Sequence, residues 1–124
     1  MSFLKNIFGS DNESQDSRSF WKNITSDEEL EAAVAESFNR PVIIFKHSTR
    51  CHISKMVLKS FEQEVAQADR DIAYYFLDLI SFRGLSNKIA ENFDVTHQSP
   101  QMIVLQDGIA VRNASHHSIS LSLV

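Results

Sequence analysis

The sequence has little of what a covalently braced, membrane-spanning or nucleic-acid-binding protein needs. It holds one cysteine in 124 residues. One cysteine cannot close an internal disulfide, so the lone thiol is either a small buried apolar group or a reactive one. Lys and Arg form no run, and the net charge is −4. The electrostatic footprint of a nucleic-acid or anionic-membrane binder is therefore missing. No stretch approaches the roughly 18 consecutive apolar residues of a membrane span. Within Met1–Gly9 the apolar positions Phe3, Leu4, Ile7 and Phe8 are too few and too interrupted for an export-signal core. The expected address is the cytoplasm. No internal repeat and no low-complexity tract is present.

What remains is the composition of an ordinary soluble domain, with 43% hydrophobic residues and a length that suits one core. Residues 10–19 carry no large apolar side chain. They cannot bury enough surface to offset the entropy of ordering, so residues 1–19 are expected to be a flexible tail and 20–124 the folded domain.

Past Phe20, Thr25 or Ser26 can cap a helix with Asp27, Glu28 and Glu29 in its first turn. Leu30, Val34 and Phe38 recur every four residues and predict one buried face, and Asn39-Arg40-Pro41 stops the pattern. Val42–Phe45 is an unbroken apolar run, the signature of a strand covered on both sides. A polar loop, His47–Arg50, leads to a second helical pattern from Cys51, with Ile53, Met56, Val57, Ser60, Phe61 and Val65 expected on one face. Ile72–Leu79 predicts another buried strand. Ser81 can cap a helix carrying Leu85, Ile89 and Phe93. Pro100 opens a strand over Met102–Leu105, Asp107-Gly108 signals a hairpin, and Ile109–Ala114 returns. Ser118 could cap a last helix. The nine Phe residues are assigned to packing, and His116 and His117 to the surface. The expectation is an α/β fold with a mixed four-stranded sheet, parallel in its first two strands, flanked by helices on both faces.

A strand, a short loop and a helix that begins at cysteine have chemical consequences. The first N–H groups of a helix lack intrahelical partners, and with the macrodipole they favour negative charge. A cysteine placed there should hold more thiolate at neutral pH, and thiolate is the nucleophile of disulfide exchange. Ser54 follows Cys51 by three residues. Where a two-cysteine oxidoreductase has a resolving thiol, Cys-His-Ile-Ser offers a hydroxyl. That hydroxyl can support a thiolate but cannot release a bound partner. Thr96-His97-Gln98-Ser99-Pro100-Gln101 is the second element, a proline just before a core strand. In this architecture its loop lies beside the Cys51 loop, where the backbone of Ser99 could pair with an extended substrate.

Phe45-Lys46-His47-Ser48-Thr49-Arg50-Cys51-His52-Ile53-Ser54, together with His97-Gln98-Ser99-Pro100-Gln101, resembles the monothiol bacilliredoxins of the thioredoxin-like superfamily over residues 20–120. The resemblance implies a cis peptide before Pro100 and a bacterial cytosolic setting. It also implies that Cys51 removes bacillithiol, acting as a co-substrate, from mixed disulfides on S-thiolated client proteins. Thr49, Arg50, Ser99 and Pro100 become candidate substrate-binding residues, and Ser54 and His52 candidate supports for the thiolate. Thr49, Arg50 and Lys46 could meet the carboxylates of an anionic thiol, although ordinary solvated charge is the better reading of Lys46. One departure stands out: the family form usually has proline directly after the cysteine, where this chain has His52. Histidine restores a backbone N–H and adds a titratable ring.

Three rivals follow from the same residues. A metal ion could gather His47, Cys51, His52 and His97, but the spacing does not match closed structural-zinc patterns, so no bound metal is expected. Cys-x-x-Ser also marks glutaredoxin-like carriers of iron–sulfur clusters. A non-catalytic interaction module is the third. Alkylation of Cys51 as a function of pH tests the shared premise: reaction should persist well below the range of a free cysteine, and ordinary thiol behaviour counts against a helix-activated nucleophile.

Overall fold

The computed structural model describes residues 20–124. The tail expected over residues 1–19 lies outside them. Thr25 and Ser26 together start the first helix, α1 (Asp27–Glu36). The Ser26 hydroxyl accepts the Glu29 N–H at 3.2 Å, while the Glu29 carboxylate accepts the Thr25 N–H at 2.7 Å and hydroxyl at 2.6 Å. Donors left open at the helix start are thereby satisfied in both directions. The following strand, β2 (Val42–His47), is buried along its whole length.

Five strands form the sheet, one more than the sequence pattern gives: β1 (Trp21–Asn23), β2, β3 (Ala73–Asp78), β4 (Gln101–Gln106) and β5 (Ile109–Ser115). Their order is β1-β3-β2-β4-β5. Strand β3 runs parallel to both β1 and β2, whereas β4 is antiparallel to β2 and to β5. The added strand is three residues of mixed polarity, too short for any alternation to be read. Pairing with the open edge of β3 defines it.

Alternation along β2 divides the core. Val42 and Ile44 face α1 and α3 (Arg83–Phe93), meeting Leu30, Ala33 and Ile89. Ile43 and Phe45 face α2 (His52–Gln67), meeting Val57, Leu58, Phe61 and Val65, with Ile119 and Leu121 beside them. Burying one such side chain is worth about 1.5–3 kcal/mol, against about 0–1 kcal/mol for an exposed ion pair such as Lys88–Asp27. The two-sided sheet therefore holds the fold, and surface charge does not.

Several predicted positions shift. Helix α1 ends at Glu36, so Phe38 leaves the buried face and is 61% exposed. Ile53 and Met56 are also exposed, as is Ser60, because the buried stripe of α2 runs through Ser54, Val57, Leu58, Phe61, Glu62 and Val65. Ser81 does not cap α3, whose N-cap is Phe82; the Asp78 carboxylate accepts the N–H groups of Ile80 and Ser81 and the Ser81 hydroxyl instead. Past β5 the chain makes two short 3-10 turns, His116–Ser118 and Leu121–Leu123, with Ser120 rather than Ser118 capping the second.

At the end of the sheet where β4 turns into β5, Asp107 and Gly108 both have positive φ, 53° and 81°, as a two-residue hairpin of this twist requires. Ser37 pins the tip: its carbonyl accepts the Asp107 N–H at 2.8 Å and its hydroxyl the Gly108 N–H at 2.9 Å. A Cβ on Gly108 would stand 2.8 Å from Phe38 Cζ. G108A should lose about 2 kcal/mol in chemical denaturation, from left-handed backbone and clash combined. In the F38A background the loss should shrink, since only the backbone contribution remains.

Candidate active site

The site grows from the end of β2. The strand closes at His47, Ser48–Arg50 cross the gap, and Cys51 is the N-cap of the 16-residue helix α2. The Cys51 N–H donates to the Ser48 carbonyl at 3.2 Å, and its own carbonyl accepts the Lys55 N–H at 3.1 Å. Its thiol is free, half-buried, and makes no capping hydrogen bond. The sulfur is thus attached at the positive end of a helix, among N–H groups that have no intrahelical acceptor. Thr49, Arg50 and His52 surround it on the surface. Ile53 and Met56 add an apolar flank, 43% and 54% exposed.

Ser54 is fully buried and its hydroxyl is engaged beneath the loop. The oxygen accepts the Ser48 N–H at 3.1 Å and lies 2.8 Å from His47 Nδ1. The hydrogen bond expected from this hydroxyl to the sulfur is therefore not among its contacts. Ser54 acts one step back, fixing the root of the loop that carries Cys51. The His47 ring lies 5.6 Å from the Phe76 ring, which fixes its orientation from the β3 side.

The other half enters from β4. Antiparallel register sets Lys46 opposite Gln101, so the chain leaving β2 and the chain entering β4 emerge from neighbouring strands at one end of the sheet. Pro100 is buried and the Ser99–Pro100 peptide is cis. Among the described residues no backbone group of Ser99 is hydrogen-bonded. The Pro100 carbonyl accepts the N–H of His116, which begins the turn after β5. His116 and His117 thus reach the same end of the sheet as Cys51. Sequence spacing cannot reveal this, because only the return of β5 brings them back. His47 closes β2, His52 opens α2, His97 lies in the segment before β4, and His116 and His117 follow β5.

Lys46 does not reach outward to meet a carboxylate. Alternation turns it to the α3 side, where it is completely buried. Its ammonium donates to the Ser86 carbonyl at 3.1 Å and lies 3.3 Å from His97 Nδ1. Burial pushes Lys46 down from its usual 10.5 to about 8. Burial also lowers His97, with the charges of Lys46 and Arg83 adding to the effect. The signal available in the sequence was the position of Lys46, an even step from Ile44 on a strand buried on both faces. His47 is turned toward Ser54 and His97 toward Lys46, so these two rings serve opposite faces of the sheet. Among the described residues no group of three or more His, Cys, Asp or Glu side chains is gathered to hold a metal ion.

This sheet order, with a half-buried cysteine heading the helix after β2 and a proline turn before β4, defines a thioredoxin-fold protein of thiol redox chemistry. The family model described as monothiol bacilliredoxin BrxC matches residues 22–124, and the chain belongs to that family. A solved structure described as a candidate oxidoreductase with a thioredoxin fold superposes with a TM-score of 0.75 at 30% identity, covering 86% of this chain and 91% of that one. Saccharomyces cerevisiae mitochondrial thioredoxin 3 in its oxidised form superposes at 0.62 with 21% identity, over 81% and 87% of the two chains. Thioredoxin f from spinach chloroplast gives 0.62 at 15% identity, over 77% and 80%. The last two are similar in fold alone.

The displaced lysine makes stability depend on pH. Above pH 8 the folded chain releases the Lys46 proton while the unfolded chain keeps it up to about 10.5, so the unfolded state binds more protons and stability rises with pH. Relative to K46M, the wild-type protein should gain about 2 kcal/mol between about pH 7.5 and about pH 9.5. Parallel urea curves for the two proteins across that range check it; curves that keep a constant separation would show that Lys46 does not titrate there.

Proposed function

We propose that the protein is a monothiol oxidoreductase that removes bacillithiol, or a similar low-molecular-weight thiol, from mixed disulfides on cytoplasmic client proteins. One observation carries this reading: a single half-buried thiol heads a 16-residue helix, and the residue three positions on is a serine turned inward. Such a site can start an exchange but cannot finish it internally. Family membership supports the same chemistry.

The reaction is two exchanges in sequence. Cys51 thiolate attacks the small-thiol sulfur of the client's mixed disulfide. A new S–S bond joins Cys51 to bacillithiol, and the client's sulfur leaves as thiolate. No net oxidation occurs in this step, since one disulfide replaces another. A second small thiol, or an external dithiol reductase, then attacks the Cys51 adduct and regenerates the free thiolate. Helix N–H groups favour the anionic sulfur at the start and the end of this cycle.

The surroundings divide the labour. Arg50 and Thr49, exposed at the mouth, offer charge and a hydroxyl to the carboxylates of an anionic thiol. The unpaired backbone of Ser99 offers a short edge to an extended client segment, with Pro100 as its floor. Ile53 and Met56, exposed early in the same helix, present apolar surface to the client. His52 adds a solvent-facing ring directly after the nucleophile.

Mass spectrometry after exposure to oxidised bacillithiol and to a bacillithiolated client peptide tests this directly. Cys51 should acquire one bacillithiol, the peptide should emerge reduced, and C51S should do neither while keeping its circular dichroism. A C51S protein that still releases the peptide would sink the mechanism. A brown protein with visible absorbance after anaerobic purification, inert toward both disulfides, would favour the cluster-carrier reading instead.

A further inference from the structure

Thr96, His97, Gln98 and Ser99 make no backbone–backbone hydrogen bond among the described residues. Three buried side chains hold this segment instead, one of them the Ser86 hydroxyl of α3, 3.3 Å from His97 Nδ1. Gln101 Nε2 donates to the Thr96 carbonyl at 2.9 Å, and Lys46 Nζ lies 3.3 Å from His97 Nδ1 while donating to Ser86 of α3. Lys46 and Gln101 are register partners on β2 and β4, and both are completely buried. Each strand therefore contributes one polar side chain, and each side chain grips one residue of the segment that ends at Ser99.

A buried lysine is a poor choice for stability. Taking an ammonium out of water costs several kcal/mol, and an apolar side chain of similar volume often serves a core as well or better. No carboxylate forms an ion pair with Lys46 among the described residues. The charged or titratable groups coupled to this site are His97 from the segment itself and Arg83 from α3, while its β3 neighbour is Leu77. What the ammonium does supply is direction: it joins the first turn of α3 to His97, and Gln101 joins the strand below to Thr96.

We propose that Lys46 and Gln101 form a buried mount for the Thr96–Ser99 segment, and that this mount sets how well the protein takes an extended polypeptide disulfide relative to a small one. The proposal rests on the reading of Ser99 as the backbone that meets a client. Lys46 and Gln101 are positioning residues and touch no substrate. The mount lies on the α3 side of the sheet, whereas the Cys51 loop is fixed from the α2 side by Ser54 and His47. Loosening the mount therefore blurs the edge offered to a polypeptide but leaves the nucleophile in place. A small disulfide makes no use of that edge.

Steady-state kinetics of K46M and Q101L on two substrates test this. The substrates are a peptide carrying bacillithiol on its cysteine, and oxidised bacillithiol itself. For each variant KM for the peptide should rise about tenfold, as the loss of one or two strand-like hydrogen bonds implies, with kcat changed less than about twofold. The rate constant with oxidised bacillithiol should stay within about twofold of wild type. K46R, which keeps the donors, should recover part of the peptide KM. The two variants act from different strands, so Q101L decides the matter even where K46M folds poorly. Equal losses on both substrates, or no loss on either, overturn the mount while leaving Cys51 chemistry intact. A wild-type protein inert toward both disulfides overturns the reading of Cys51, and this proposal falls with it.

Discussion

The antiparallel register between β2 and β4, in which Lys46 faces Gln101, sets the separation of the two loops that make the site. Cys51 leaves the sheet five residues beyond Lys46, and Pro100 enters it one residue before Gln101. A slip of one residue would turn every side chain of β4 to the other face. Met102 and Val104 now pack toward α2, and Ile103 and Leu105 toward α1 and α3. All four would then move into the wrong layer. The cost of misplacing those apolar groups holds the two loops together, although neither loop contributes much to the core.

Alternation also lets the last two residues of β2 serve opposite sides. His47 turns toward α2 and, with Ser54, fixes the loop that carries Cys51. Lys46 turns toward α3 and, with Gln101, reaches the segment before Pro100. The sulfur and the neighbouring backbone are thus tethered to different layers of the same sheet. The Cys51 thiol stays half-buried in that arrangement, at a helix start that is open on one side. The apolar residues Ile53 and Met56 are exposed because the buried stripe of α2 is set by Ser54, Val57 and Phe61, and it leaves the first turn's outer face at the mouth.

Much of the architecture was legible in the pattern of residues. The run Val42–Phe45, the spacing of Leu85, Ile89 and Phe93, and the Asp107-Gly108 hairpin each stem from one strong local preference, and each appears where expected. Trp21–Asn23 was not legible, since three residues carry no period and the strand exists by pairing with β3. Phe38 was misplaced because its spacing continues α1 arithmetically while the helix stops at Glu36. In the site, Cys51 and the Ser99–Pro100 turn could be named from sequence. The inward hydrogen bonds of Ser54, the buried Lys46–His97 contact and the approach of His116 to Pro100 could not, because each depends on residues far apart in the chain.

Local pattern in the chain was enough to give the three helices, four of the five strands and their order, and to show one cysteine with no second to resolve it. These follow from short-range causes: apolar periodicity, turn chemistry, and the count of cysteines. The tertiary structure alone decided which face of α2 is buried, where Lys46 points, and which segments stand beside Cys51. Those outcomes rest on strand register and layer packing, which join residues some fifty positions apart and leave no periodic trace in the chain.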